Sequence, residues 1–301
     1  MQDPIPQRLV VAVTARSLFA LEAEEEIART RPPEEYRRHQ IQRDGDPLAP
    51  GRALPMVQAL LRVGERASRR FEVVVLSHAS ADASPRLFAS AQEHALHVAR
   101  AAFTGSDPFG PYLKAFHVDL FLSEDPEEVR AAIVTGTPAA VIVARAEDAK
   151  HPVEQIRIAF DGDALVFGGP TTASGDADEL RPEGVEKSLA KLMRTLSELQ
   201  VGDADKRLLR TALVTRRTSP AQEKALGLLR DANVRLDEAF FVGDLPREEV
   251  LEAFRAHVFF DDAGSHFRIP EVLVKQDQRE IEEEAQSGRS AFARLRLRAS
   301  E

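Results

Sequence analysis

The chain has 301 residues, of which 43% are hydrophobic and 30% charged, a composition typical of a globular protein. Its formal net charge of −9 argues against nucleic acid as the main partner, and the absence of cysteine excludes disulfides, zinc–thiolate sites and thiol nucleophiles. No basic segment followed by an apolar core opens the sequence, and no apolar run approaches the roughly 20 residues of a membrane span, so we expect a cytoplasmic protein with no membrane partner.

Short apolar runs alternate with longer amphipathic stretches, which predicts an α/β protein whose mostly parallel, Rossmann-like sheet is flanked by helices. The predicted strands are Leu9–Val13, Phe71–Leu76, Val118–Leu122, Ala139–Val143, Gln155–Phe160, Thr211–Thr215, Ala239–Val242 and Val258–Phe260. The predicted helices are Pro55–Ser68, Pro85–Arg100, Pro126–Val134, Gly184–Leu199, Pro220–Asn233 and Arg247–His257. Two helix starts are well marked. In "SPAQ" Ser219 is the N-cap and Gln222 the capping-box partner, and in "DPEE" these are Asp125 and Glu128.

The second half of the sequence repeats features of the first. The segment "EAFFVGDLPREEVLEAFRAHVFFDD" is similar to "AAFTGSDPFGPYLKAFHVDLFLSE", and "TALVTRRT" is similar to "VVVLSHAS". The spacing agrees, because Ser77 precedes Gly105 by 28 residues and Thr215 precedes Gly243 by 28 residues. We infer an internal duplication.

The repeat shows which half keeps acidic residues. Extended towards the N-terminus, it pairs Thr14 with Asp161 and Arg16 with Asp163. The first half has therefore lost the carboxylates that the second half keeps. We predict three segments: a degenerate half over 1–150, a catalytic half over 151–270 and a charged helical tail over 271–301.

The strands predicted in the second half are followed by residues that can hold a phosphate or a metal. In chain order these are the pair Asp161 and Asp163, then Thr215, then Arg247 after a glycine turn, then the pair Asp261 and Asp262. The carboxyl ends of parallel strands meet at one edge of a sheet, where ligands bind. Carboxylates suit Mg²⁺, and a hydroxyl with a cation suits phosphate oxygens. The set indicates metal-assisted phosphoryl transfer, although "DGD" taken alone is more typical of a plain turn.

Four of these segments resemble known motifs. "FDGDA", "ALVT", "VGDLPR" and "VFFDD" resemble the motifs of the haloacid dehalogenase-like phosphohydrolases. The N-terminal "VTARSLFALEAEEEI" and the segment "FTGSDPFGPYLKAFHVDLFLS" narrow the resemblance to the cytosolic 5′-nucleotidase I family. The resemblance implies a haloacid dehalogenase-like fold with a degenerate N-terminal half and a small cap insertion. It also implies Mg²⁺-dependent hydrolysis of nucleoside 5′-monophosphates.

The resemblance also implies a role for each residue of the set. Asp161 would be the nucleophile that forms an aspartyl-phosphate. Asp163 would protonate the departing 5′-oxygen and later deprotonate the hydrolytic water. Thr215 would bind the transferring phosphoryl group. Asp261, with Asp262, would hold Mg²⁺ alongside Asp161 and the main-chain carbonyl of Asp163.

One residue departs from the family pattern. The family has a phosphate-binding lysine where this chain has Arg247, and the larger, planar guanidinium is not interchangeable with an ammonium group. Arg216 and Lys114 are alternative cations for that role.

The first half cannot run the same chemistry, so its role needs another explanation. One interpretation is that it covers the active site and contacts the nucleoside through Arg16, Phe19 and the loop that contains Thr104, Gly105 and Lys114. The alternative is a structural half that completes the sheet as an internal pseudo-dimer.

Three functions remain open from the sequence. The first is a 5′-nucleotidase with a nucleotide substrate, the second a phosphatase for another small phosphate ester, and the third a catalytically retired nucleotide-binding module, to which Arg247 and the altered tail point. A retained carboxylate cluster favours an enzyme, because like charges repel one another when no metal is bound. Base and sugar preference and a homo-oligomeric state are left open.

Overall fold

The computed structural model describes residues 9–66, 71–105, 107–143, 151–162, 185–200, 208–216, 226–227, 229–230 and 234–261. Several predicted features lie outside these ranges. They include residues 163–184, which are part of the span between Asp161 and Thr215 where the small cap insertion was expected, almost all of the helix predicted at 220–233, and the tail at 271–301.

A nine-stranded sheet runs through the described part of the chain. Its strands are β1 (Leu9–Thr14), β2 (Phe71–Ser77), β3 (Val98–Phe103), β4 (Leu120–Ser123), β5 (Ala139–Ile142), β6 (Ile156–Asp161), β7 (Leu209–Thr215), β8 (Glu238–Phe241) and β9 (Val258–Phe260). The spatial order is β3-β2-β1-β4-β5-β9-β6-β7-β8, and the neighbours are parallel except for the antiparallel pair β5 and β9. The predicted α/β class with a mostly parallel sheet is confirmed.

Helices connect and flank these strands. They are α1 (Ala15–Leu18), α2 (Glu22–Thr30), α3 (Pro33–Gln42), α4 (Leu54–Arg66), α5 (Ser84–Glu93), α6 (Gly110–Ala115), α7 (Pro126–Val134), α8 (Val185–Gln200) and α9 (Arg247–Phe254). A short 3₁₀ turn, Ala81–Ala83, precedes α5. Among the residues with a described structure, none of the helices combines the length and the apolar character that a membrane crossing needs.

The central strands are buried along their whole length. All six residues of β1 are buried, and the continuous apolar run in "LVVAVT" is typical of a parallel strand covered on both faces. In the second half, Phe160 and Phe260 stack with ring centroids 4.7 Å apart, which packs β6 against β9. Close packing of this kind holds the strand ends in fixed positions.

The two halves repeat one arrangement. The order β3-β2-β1-β4 of the first half matches the order β8-β7-β6-β9 of the second. β1 ends at Thr14 and β6 ends at Asp161, and each strand keeps the same register against its neighbour, β2 or β7. Gly105 and Gly243 take the same left-handed conformation after β3 and β8, with φ of +63° and +58°. The structure confirms the repeat predicted from the sequence.

The antiparallel contact between β5 and β9 decides how the halves are joined. Because that contact reverses direction, the carboxyl ends of β1 to β5 lie at the opposite edge of the sheet from those of β6 to β9. A six-residue strand spans about 20 Å, so the two edges are well separated. The result is a continuous internal pseudo-dimer.

One predicted helix is partly wrong. The helix expected at Pro85–Arg100 ends at Glu93, and the chain turns through Ala95 at a φ of +52° before β3 begins. The alanines of "VARAAF" favour a helix locally, but pairing with β2 makes this segment an edge strand. The repeat contained the missing information, because this segment aligns with the correctly predicted β8.

The predicted capping box at Asp125 is half right. Asp125 caps α7 and accepts a hydrogen bond from the backbone N–H of Glu127 at 2.8 Å. Glu128, however, accepts a hydrogen bond from the Ser123 hydroxyl, and that same hydroxyl accepts one from the backbone N–H of Asp125 at 3.0 Å. Ser123 thus replaces Glu128 as the group that satisfies the cap.

Candidate active site

Asp161 is the last residue of β6 and is only 2% exposed. The strand "IRIAFD" lies between β7 and β9, in the interior of the sheet. A carboxylate in such a place needs a compensating charge or hydrogen bond, because burial of an isolated ion is costly. The carboxylate of Asp161 therefore requires a cation or a hydrogen-bond donor near the carboxyl edge of the sheet.

Arg247 supplies that charge. It is the first residue of α9 and is 8% exposed. Its Nη1 donates to Asp161 Oδ2 and, at 3.4 Å, to Asp261 Oδ1. The guanidinium also lies over the ring of Phe259, 5.7 Å from its centroid, a contact that the sequence did not indicate. A buried cation therefore lies between two carboxylates at the carboxyl ends of adjacent strands.

Gly162 and Thr215 fit tightly against one another beside Asp161. Thr215 ends β7 and is 1% exposed. A Cβ added to Gly162 would lie 2.7 Å from Thr215 Cβ, closer than side-chain atoms approach one another. Glycine is therefore required between the two aspartates for close packing, a reason that differs from the turn preference considered from sequence. Arg216, the next residue, is exposed.

The structure brings part of the predicted set together. Asp161, Thr215, Arg247 and Asp261 stand at the ends of neighbouring elements along one edge. The predicted residues Asp163 and Asp262 lie outside the described residues.

The first-half candidates are placed elsewhere. Arg16, Thr104 and Gly105 follow β1 and β3, at the edge opposite Asp161. Phe19 is fully buried and stacks with a histidine ring at 6.0 Å, and Lys114 is exposed on α6. These placements favour the structural alternative for the first half over an interpretation in which it covers the active site.

The donor chemistry of the site fits a hard divalent cation. The carboxylates of Asp161 and Asp261 converge on one guanidinium nitrogen, so their oxygens already point to a common position for positive charge. Mg²⁺ prefers oxygen ligands of this kind. Within the part of the chain that is described, no group of three or more His, Cys, Asp or Glu side chains forms a metal cluster.

Comparison with known proteins agrees with this site. The family model for 5′-nucleotidases matches residues 1–278. A human protein, cytosolic 5′-nucleotidase 1B, is 30% identical over 295 residues, which cover 87% of this chain and 47% of the human protein. The chain thus spans about half the length of that relative. Because the family match runs through both halves of the sheet and all the residues of the site, the chain belongs to the 5′-nucleotidase family.

Proposed function

We propose that the protein is a Mg²⁺-dependent 5′-nucleotidase that hydrolyses nucleoside 5′-monophosphates to nucleoside and phosphate. The observation that carries the proposal is the buried Asp161 at a strand end, held by Arg247 and facing a second carboxylate, Asp261. Membership of the 5′-nucleotidase family supports the choice of substrate. The human relative is named as cytosolic, which supports a cytoplasmic location.

The reaction would proceed in two displacements. A carboxylate oxygen of Asp161 attacks phosphorus, and the bond to the 5′-oxygen breaks as Asp163 protonates that oxygen. Asp163 then removes a proton from water, which attacks the aspartyl-phosphate and releases phosphate. The Thr215 hydroxyl donates to a phosphoryl oxygen. Mg²⁺, held by Asp161, Asp261, Asp262 and the main-chain carbonyl of Asp163, would neutralise the charge of the phosphate and of the attacking carboxylate.

Arg247 has a position that suits two tasks. Before substrate enters, its guanidinium orients Asp161 and compensates the charge of the buried carboxylate. A guanidinium has five N–H donors, so the group that pairs with Asp161 in the absence of metal could donate to a phosphate oxygen once metal and substrate are bound. The arginine can therefore take the place of the lysine in the family pattern.

Phosphate release from a panel of nucleoside monophosphates and sugar phosphates, with and without Mg²⁺, tests the proposal. We expect Mg²⁺-dependent release from nucleotides that Asp161→Asn abolishes. Asp119→Asn is the matched control, because Asp119 accepts a backbone hydrogen bond from Val10 at 3.0 Å near the amino end of β1. Release from sugar phosphates alone would indicate another phosphatase, and nucleotide binding without release would indicate a retired enzyme.

A further inference from the structure

A cavity of about 380 Å³ lies at the carboxyl edge of the first half, away from the candidate active site. We call it the first-half cavity. Its floor consists of Thr14 and Ser77 at the ends of β1 and β2, and its walls include Ala28 and Tyr36 from α2 and α3. The volume falls within the range of small-molecule sites, about 300–1,000 Å³.

The first-half cavity occupies the place that the active site has in the second half. The matching strand registers and the equal spacing after Gly105 and Gly243 define the equivalent positions. The exchanges are Thr14 for Asp161, Ser77 for Thr215, Phe109 for Arg247 and Ser123 for Asp261. Hydroxyls and a phenyl ring thus replace the two carboxylates and the cation. The site has kept its location but not the charges that bind metal and phosphate.

Helices α2 and α3 close the first-half cavity as a fixed cap. Glu24 is buried and accepts hydrogen bonds from Arg86 of α5 at 2.5 Å and from Gln40 of α3 at 2.8 Å. His39 lies 2.8 Å from the same carboxylate. Burial alone would raise the pKa of Glu24, but the hydrogen bonds and charge of Arg86, with Gln40 and His39, lower it overall. The cap is therefore anchored by an ionised carboxylate, and the cavity exists before a ligand arrives.

The three arginines that line the cavity lie beside glutamates, and only the pair Arg86–Glu24 is buried. Each of these arginines forms an ion pair with a glutamate of α2: Arg16 with Glu25 at 3.5 Å, Arg29 with Glu26 at 2.5 Å and Arg86 with Glu24 at 2.5 Å. Three glutamates, Glu24, Glu25 and Glu128, also line the cavity and equal the arginines in number, so the lining offers a phosphate group no net positive charge. The charge arrangement favours an uncharged ligand.

The remaining polar groups suit an uncharged ligand with hydrogen-bonding edges. Burial first, and the charge of Glu24 second, raise the pKa of Tyr36 to about 12, so its phenol keeps its proton. Burial also raises the pKa of Glu128, an effect that the hydrogen bond from Ser123 opposes. These groups and two strand-end hydroxyls line the cavity together with eight Ala and Leu side chains and the stacked rings of His78 and Phe109, whose centroids are 4.0 Å apart.

We propose that the first-half cavity is a second, non-catalytic ligand site that takes an uncharged nucleoside. The choice of a nucleoside rests on the proposed function, because the cavity is the copy of a nucleotide site from which the phosphate-handling charges are missing. A nucleoside supplies a flat, apolar ring with polar edges and sugar hydroxyls, and it carries no phosphate.

Isothermal titration calorimetry of the full chain without Mg²⁺ tests this site, with adenosine, guanosine, cytidine and uridine as probes. Ala28→Phe places a ring in the cavity from an exposed position on α2. Ala23→Phe is the matched control, because Ala23 is exposed on the same helix and does not line the cavity. We expect at least one nucleoside to bind the wild type and the control, and to bind Ala28→Phe at least tenfold more weakly. Tyr36→Phe provides a second, nearly isosteric variant, for which we expect a several-fold loss.

Two results would overturn the proposal. The first is that no nucleoside binds, or that a nucleoside binds but folded Ala28→Phe and Tyr36→Phe do not both weaken its binding. The second is that the cavity binds a nucleoside 5′-monophosphate more tightly than the corresponding nucleoside. This comparison is made in the Asp161→Asn variant and counts only binding that the cavity substitutions weaken. Phosphate release is measured on the same wild-type preparation, so that the proposed reaction and the proposed second site are tested separately. Release without cavity-dependent binding refutes only the second site, and binding without release refutes only the proposed reaction.

Discussion

Replacing Arg247 with alanine is the most direct test of the site. The arginine side chain is 9% exposed, and its partners Asp161 and Asp261 are 3% and 8% exposed. The substitution removes the cation and leaves two buried carboxylates close together. Removal of one partner of a buried ion pair costs about 3–5 kcal/mol, because the remaining charge is not compensated. We expect a loss of that size in the free energy of unfolding at neutral pH without metal.

Arg130→Ala is the matched control for this measurement. Arg130 pairs with Glu127 within α7, but the two side chains are 46% and 73% exposed. An exposed pair of this kind contributes about 0–1 kcal/mol. Urea unfolding can be followed by circular dichroism at the helix band, since the chain has no tryptophan and only two tyrosines. If Arg247→Ala costs no more than Arg130→Ala, the reasoning about a buried pair is refuted.

Magnesium gives the same variant a second readout. A ligand that binds only the folded state stabilises it by about 2.7 kcal/mol at a concentration of 100 times its Kd. In the wild type the metal must draw Asp161 and Asp261 away from Arg247, whereas in Arg247→Ala it relieves their repulsion. We therefore expect Mg²⁺ to raise the melting temperature of Arg247→Ala more than that of the wild type. An equal or smaller rise would contradict a shared position for arginine and metal.

Three further predictions concern packing and pH. Gly162→Ala should cost about 1–3 kcal/mol of stability and lower phosphate release, because the added methyl meets Thr215; an unchanged melting temperature would contradict this. The lowered pKa of Glu24 stabilises the fold above its usual value of 4.5, so the stability advantage over Glu24→Gln should shrink in unfolding curves taken at falling pH. Glu128 has a raised pKa, so the stability of the wild type relative to Glu128→Gln should decrease as pH rises above 4.5, the opposite slope.

Local sequence was sufficient for most of the secondary structure. Buried parallel strands are short, continuous apolar runs, and this pattern predicted eight of the nine strands. The exception, β3, is an edge strand with Ala and Arg residues, so its conformation depends on pairing with β2. The N-cap of α7 was also readable, because Asp125 and Pro126 act within one turn of the chain.

The candidate site was predictable as a set of residues but not as a set of contacts. The order of Asp161, Thr215, Arg247 and Asp261 along the chain, combined with the rule that parallel strands end at one edge, predicted where they meet. That Arg247 lies between the two carboxylates depends on the packing of α9 and on Phe259, which residue spacing does not encode.

The relation between the halves shows most clearly where sequence information ends. Matching motifs and intervals are local properties, so the amino-acid order alone predicted two similar α/β units. The relative direction of the two units depends on the antiparallel pairing of β5 with β9, which is a long-range contact. An apolar strand has the same side-chain pattern whether its neighbour runs parallel or antiparallel, so the sequence could place Arg16 near Asp161 or at the far edge. Packing of the complete sheet put Arg16 beside the first-half cavity and Asp161 at the opposite edge.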